Sequence, residues 1–574
     1  MPTISVNLKD LEGLLGPAVG AGTALSADTL EKWLPLVKGE LKDFDLASGE
    51  LRIELQDSNR PDLWSSEGIA RQIRIKRTGV TPSYAVSIPP ASRKRQITVA
   101  AGLETIRPYV AACAAVGYRV TAEGLAQLIQ TQEKLAAIYG RQRKTVSIGF
   151  YRLPTITFPV TYTLVKPDEA RFTPLGFNEK LSLREILSVH PKGQEYGPIL
   201  AGHDRVPLLR DQEGQILSMP PIINSREIGE VQVGDEALFV EVTGTDLRMV
   251  ILTLNILAAN LADRGATVEP VSIKYPYSTA LGETIVTPLD MAQSVPLPKE
   301  VIVGALGETL EPRQIEDALR SYGYHMTAAR GKSSVKLPPY RNDLMHVVDL
   351  VEDVAISRGY ESFVPVMPSQ FTVGALSPVE DLSDRIRDLM VGMEFQEVMS
   401  NLLSSRSDLV DRMRLAGSAW DRVVDVDNVM VQTYSSLRQW MIPSLLRVEE
   451  ASARAFFPHR VFEVGEVALP DPNDESGTRT AMMLGALIAH AKANFSEIHS
   501  CLDLLMFYLG MPYGLEPIQH PSFLDGRAGQ ILLDAQPIGI VGELHPEVLE
   551  AWQVLMPCVA VEVQIEALLR RAKP

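Results

Sequence analysis

The sequence predicts an α+β protein of several domains, and three observations lead there. At 574 residues the chain is several times the usual domain length, which gives a prior of three to five cores. Short β-branched runs bounded by glycine recur from one end to the other, interleaved with amphipathic stretches of helical period. The composition, 45% hydrophobic and 22% charged, is that of a chain able to bury a core, not of a disordered or fibrous one.

Taken in order, residues 1–90 read as an N-terminal α/β domain. LRIEL at 51–55 alternates as a strand, the turn NRPDLW follows, and Pro61 suits a helix entry because its fixed φ is already near helical. SSEGIARQIRIK is then helix-like, and TPSYAVSIPPASRKRQ, with three prolines and a basic run, marks a linker. Residues 97–266 form a second domain of mixed pattern. GLAQLIQTQEKLAAIYG has helical spacing, ALFVEVTG reads as a buried strand, and MVILTLNILAANLADRG as a buried helix ending at Gly265. Residues 268–364 form a third unit. Glu311-Pro312 opens a helix, Gly323 stops it, and AARGKSS turns a hairpin. Residues 365–574 alternate helices (PVEDLSDRIRDLMVGM, SLLRVEEASARAF) with strands (RVFEVGEV, AMMLGALIA, PIGIVGEL), and VAVEVQIEALL closes as strand then helix.

The formal net charge of −16 would repel a polyanion, so nucleic-acid contact has to use local basic patches. Two segments qualify: Arg60 through Arg71, Arg74, Lys76 and Arg77 to Arg93, Lys94 and Arg95; and Lys134 to Arg152, centred on YGRQRK. A solvated helix face is the competing reading of each. Cys113, Cys501 and Cys558 are far apart and form no Cys-x-x-Cys, which argues against a disulfide framework or a thiolate zinc site. No apolar run approaches the ~20 residues needed to span a bilayer, and the opening MPTISVNLKDLEGLLG is unlike a signal peptide, so the expectation is a cytoplasmic protein without a membrane partner.

The segment YRNDLMHVVDLVEDVAISRGY at 340–360 concentrates four acids: Asp343, Asp349, Glu352 and Asp353. At 100° per residue the last three share one narrow helix face, opposite Val347, Leu350, Val351 and Val354, with Asp343 placed to cap the helix. Two readings stand. On a solvated face, like charges cost only about 0.2–0.5 kcal/mol per pair. On a covered face, at ~6 Å and an effective dielectric near 20, each pair would cost roughly 3 kcal/mol and call for a hard cation, Mg²⁺ before Zn²⁺.

Several segments together resemble one family. SNRPDLWSSEGIARQI, PIINSREIG with FVEVTGTD, PPYRNDLMHVVDLVEDVAISRGY, RVFEVGEV, and FLDGRAGQI with IGIVGELHPEVL are similar, in order and along the whole chain, to the β subunit of phenylalanine–tRNA ligase in its archaeal and eukaryotic-like form. The resemblance implies an N-terminal domain (B1-like), a B3/B4-type editing domain, a B5-type winged-helix-like domain and a degenerate class II synthetase antiparallel-sheet domain. It implies an α subunit partner in an α2β2 heterotetramer that charges tRNA(Phe) with phenylalanine, using ATP at the α subunit. It also implies Mg²⁺, shared with the α subunit, at Asp343, Asp349, Glu352 and Asp353. The second domain, by the same resemblance, hydrolyses Tyr-tRNA(Phe), with Glu241, Thr243, Ser218 and Leu209 as the pocket. The last domain lacks the arginine after its second motif and the Gly-Arg pair that a working class II site needs for phosphate, so it is expected to be a scaffold. The chain departs from the family pattern at Val429, where a proline is usual, and at Arg152, where an acid is. The competing classes are a stand-alone metal-dependent hydrolase and a non-catalytic RNA-binding scaffold; no P-loop supports the former.

Overall fold

The computed structural model describes residues 2–569 except 20–24, 46, 57–58, 85, 88–93, 293, 298, 330–331, 416 and 418–421. It divides into two compact units, residues 1–366 and 367–574.

In the first unit the chain opens on a three-stranded antiparallel sheet whose centre is Glu50–Leu55, flanked by Thr3–Asn7 and Gly39–Asp45. Alternate residues Leu51, Ile53 and Leu55 are buried, as the period of two requires. Helix Ser66–Thr78 begins at the Ser65 cap and ends on Gly79 at φ 69°; a Cβ at Gly68 would stand 1.8 Å from the Asp62 carbonyl oxygen, so only glycine fits this entry.

A ten-stranded, mostly antiparallel sheet follows. Ala237–Gly244 lies between Tyr109–Val116 and Val146–Arg152, while Arg95–Val99 runs parallel to both of its neighbours. Leu238, Val240 and Val242 face a core shared with the N-terminal helices; Phe239 enters a second core on the other face. The buried helix Leu247–Asp263 ends before Gly265, at φ 95°. The expected boundary at 266–268 is corrected here: Thr267–Lys274 pairs with both Arg95–Val99 and Tyr109–Val116, and Thr284–Thr287 pairs with it in turn, so this sheet runs on to Thr287. Backbone pairing across some 170 residues was invisible to local composition.

The third region holds helices Lys299–Leu306, Pro312–Ser321 and Val347–Arg358 around a small antiparallel sheet of Ser294–Pro296, Lys332–Lys336 and His325–Ala329. A Glu311–Gln314 capping box starts the second helix, and Gly323 follows its end at φ 98°.

The second unit is built on a seven-stranded sheet, antiparallel apart from its edge pair Gln396–Glu397 and His459–Pro470. Helices Pro378–Gly392 and Phe495–Tyr508 pack one face; Ile442–Ala451 and Pro546–Ala551 pack the other. The helix expected to reach Phe456 stops at Ala451, where the Ser452 hydroxyl turns back to the Val448 carbonyl 2.7 Å away. A turn still forms at Asp427 and Asn428 although Val429 replaces a proline, with Asn428 adopting φ 56°.

Candidate functional site

Glu241 sits mid-strand on Ala237–Gly244, with Ala112 and Gly149 as its two cross-strand partners. These small neighbours leave space above the carboxylate. A cavity of about 300 Å³ opens there, walled by Ile148, Phe150, Met219 and Ile222 with Ser218, Asn224 and Glu241 as convergent polar groups. Arg143 and Lys192 also border it, paired with Glu133 at 3.1 Å and with Glu195 at 3.3 Å, and Glu230 lies on the same rim; Arg143 is further held by the Pro221 and Ile222 carbonyls and lies over the Tyr196 ring at 4.2 Å.

Glu241 is buried, and its Oε2 accepts the Tyr151 hydroxyl at 2.7 Å; that hydroxyl also meets Ser218 Oγ at 2.8 Å and Asn224 Oδ1 at 3.5 Å. Burial pushes the Glu241 carboxyl up to about 7, against the lowering effect of the Tyr151 hydrogen bond and the Arg107 charge. Arg107, itself buried and thereby lowered to about 10, donates to Thr243 Oγ1 at 3.0 Å, to Ser147 Oγ at 2.9 Å and to the Thr243 carbonyl at 2.7 Å. The site thus offers a carboxylate that changes charge near neutrality, backed by a cation reached through two hydroxyl groups.

Of the four residues expected in the pocket, Glu241 and Ser218 border this cavity. Leu209 and Thr243 do not: strand alternation sends Leu209 into the core beside Tyr151 and Phe239, and the Thr243 hydroxyl lies behind the wall, where it meets Arg107, Ser147 and the Glu241 carboxylate. Tyr151, Gly149, Ser147 and Arg107 were missed. The signal lay in VSIGFYR, where Ser147, Gly149 and Tyr151 alternate and therefore share the face that Glu241 and Thr243 present. Arg152 points the other way and pairs with Asp235 at 3.2 Å.

The structure separates the acids of 343–353. Asp343 and Asp353 are buried and share Arg341, each 2.7 Å from its guanidinium, with Arg60 3.9 Å from Asp343 and the Tyr324 hydroxyl 2.6 Å from Asp353. Burial alone would raise the Asp343 carboxyl; the two arginines overcome it and hold it at about 2. Asp349 accepts the backbone N–H groups of Met345 and His346 at the helix N-terminus, and the exposed Glu352 pairs with Lys38 at 2.9 Å. Among the described residues no three His, Cys, Asp or Glu side chains are gathered to hold an ion. As one set the four acids do not fit a cation, because their negative charge is already met by guanidinium, ammonium and backbone donors.

Much of the first basic segment is engaged within the chain: Arg60 and Arg71 are buried, whereas Arg77 and Lys94 are exposed. Arg60 pairs with Asp62 at 2.8 Å, Arg71 and Arg74 both bind Asp263 at 2.7 Å, and Arg77 lies over Trp33 at 4.3 Å. Arg95 pairs with Glu269, and Arg93 lies outside the described residues. In the second segment Arg141 and Lys144 are exposed, beside the buried Arg143.

Comparison with known proteins places this geometry in context. Residues 364–565 match the phenylalanyl tRNA synthetase beta chain CLM domain, and residues 295–360 the tRNA synthetase B5 domain. The chain is 40% identical to the phenylalanine–tRNA ligase beta subunit of Treponema pallidum, over 90% of this chain and 87% of that one. It is 37% identical to the corresponding subunit of Pyrococcus furiosus, over 99% of this chain and 100% of that one. Among solved structures, an N-terminal fragment of the phenylalanyl-tRNA synthetase beta subunit from Pyrococcus horikoshii is similar with a TM-score of 0.58 and 35% identity, covering 62% of this chain and all of the fragment.

Proposed function

Because the chain belongs to the phenylalanine–tRNA ligase beta-subunit family, we propose that its Glu241 cavity hydrolyses tRNA(Phe) mischarged with tyrosine, while phenylalanine is ligated on an alpha subunit. The observation that carries this is one buried carboxylate in the wall of a largely apolar cavity. Tyrosine exceeds phenylalanine by one hydroxyl, which an apolar ligation pocket cannot strongly reject. A second pocket that accepts that hydroxyl reverses the preference: the phenol donates to Glu241, whereas a phenyl ring leaves a buried carboxylate facing hydrocarbon. Water then adds to the ester carbonyl carbon and the tRNA 3′ oxygen departs, giving free tyrosine and uncharged tRNA. Arg143 and Lys192 at the rim would meet a terminal phosphate by exchanging their partners Glu133 and Glu195 for it.

The 367–574 unit acts as a scaffold in this reading. Helices cover both faces of its sheet, and the buried Arg438 is committed to Glu463 at 2.9 Å, which leaves it unavailable to a nucleotide. ATP is consumed at the alpha subunit of an α2β2 enzyme. Of the four acids expected to hold a Mg²⁺ ion shared between subunits, Asp349 and Glu352 are the two that are not buried, and no step is routed through the ion. The same pairing of the acids removes support from a stand-alone metal-dependent hydrolase.

The test uses the enzyme assembled with its alpha subunit. Glu241→Ala lowers Tyr-tRNA(Phe) deacylation by at least about a hundredfold, the loss expected when a polar group that reads a substrate hydroxyl is deleted, with phenylalanine charging as the control. Unimpaired deacylation in that variant would mean that the Glu241 cavity is not the hydrolytic pocket, and absence of deacylation in the unmodified enzyme would favour a non-catalytic RNA-binding scaffold.

A further inference from the structure

Behind the Glu241 wall stands a phenol that does not line the cavity. The Tyr151 ring is fully buried, its centroid 6.0 Å from that of Phe239, and only its hydroxyl reaches the site, between Glu241 Oε2 and Ser218 Oγ. The gap it occupies depends on Gly149: a Cβ there would lie 2.5 Å from Glu241 Oε2 and 2.3 Å from the Tyr151 hydroxyl. Strand register, a missing side chain and a buried ring thus converge on a single hydrogen bond.

A carboxylate has two oxygens, and in a dry wall each needs a donor. Tyr151 donates to Oε2 and the Thr243 side chain also hydrogen-bonds the carboxylate, which stops the group from swinging; with two acceptor sites on each oxygen, Oε1 keeps capacity for a ligand. An incoming phenol then meets an acceptor already oriented, and loses less entropy than it would against a mobile side chain.

We propose that Tyr151 is a positioning residue of this pocket: its hydroxyl pins Glu241 so that the second carboxylate oxygen faces the cavity, which makes Tyr151 a determinant of selection for tyrosyl over phenylalanyl esters. The inference rests on the hydrolytic reading of the cavity given above. A phenylalanyl ester has no hydroxyl to place on Oε1, so it does not draw on the pinned geometry.

The experiment measures kcat/KM for deacylation of Tyr-tRNA(Phe) and of Phe-tRNA(Phe) by the holoenzyme. Tyr151→Phe lowers the ratio of the two about tenfold, the scale of one hydrogen bond to a charged group. General damage to the fold would lower both rates together and leave the ratio alone. An unchanged ratio in Tyr151→Phe overturns the inference. Should that variant fail to assemble, Gly149→Ala, whose methyl group separates the two oxygens, is held to the same ratio. Glu241→Ala distinguishes the two levels: if it too leaves the ratio unchanged, the hydrolytic reading falls; if it lowers the ratio and Tyr151→Phe does not, only the role of Tyr151 falls.

Discussion

At Glu241 the cost of burying an acid becomes a dependence of stability on pH. Its carboxyl ionises near 7 in the fold against an ordinary value of 4.5. Between those values the folded chain keeps a proton that the unfolded chain has released, so stability falls as pH rises from 4.5 to 7 and the full cost, on the order of 3 kcal/mol, applies above 7. Glu241→Gln removes that titration. Urea unfolding at pH 5 and pH 8 is expected to show the wild type losing stability relative to the variant at the higher pH; a parallel response of the two would mean that Glu241 does not titrate in this range. Glu241 itself was legible through the resemblance of FVEVTGTD to the family's editing domain. Tyr151 was not, since the hydroxyl of one strand acquires its meaning from a carboxylate 90 residues away.

Helix Val347–Arg358 shows what a projection can and cannot decide at the scale of an element. Placing Asp349, Glu352 and Asp353 on one arc correctly predicts their angular neighbourhood, and Leu350 and Val354 do enter the core as expected. Which edge of that arc is covered depends on what lies beside the helix, and Arg341 covers Asp353 while Lys38 reaches Glu352 from a distant part of the chain. Removing the buried arginine leaves Asp353 without a cation and Asp343 with only the more distant Arg60, so Arg341→Leu is predicted to destabilise this region by about 3–5 kcal/mol. Asp349→Ala, which loses only an N-terminal cap, is predicted to cost about 1 kcal/mol. Thermal unfolding of both variants checks the order; equal costs would mean that the acids act as one exposed group.

For the whole molecule, neutralisation of the buried acids by arginine predicts indifference to chelation. Treating the isolated chain with EDTA is expected to move its melting temperature by less than about 2 °C, the shift that follows from a fraction of a kcal/mol in domains of this size. A fall of several degrees would assign the charge balance at Asp343 and Asp353 to an ion in place of Arg341. The net charge of −16 likewise constrains the molecule without locating any surface, for the cations that sequence alone would offer to tRNA are largely consumed in pairs such as Arg71 with Asp263. Sequence by itself determined the α+β class, the capped helices such as Pro312–Ser321, the strand Ala237–Gly244 at its observed bounds, and the family, because period, caps and motif order are local properties of the chain. Packing alone set where the second sheet ends, which acids keep a free face, and that Tyr151 joins Thr243 in hydrogen-bonding Glu241 beside the cavity. Those outcomes depend on burial and on partners brought together across many residues, and both arise only when the elements pack.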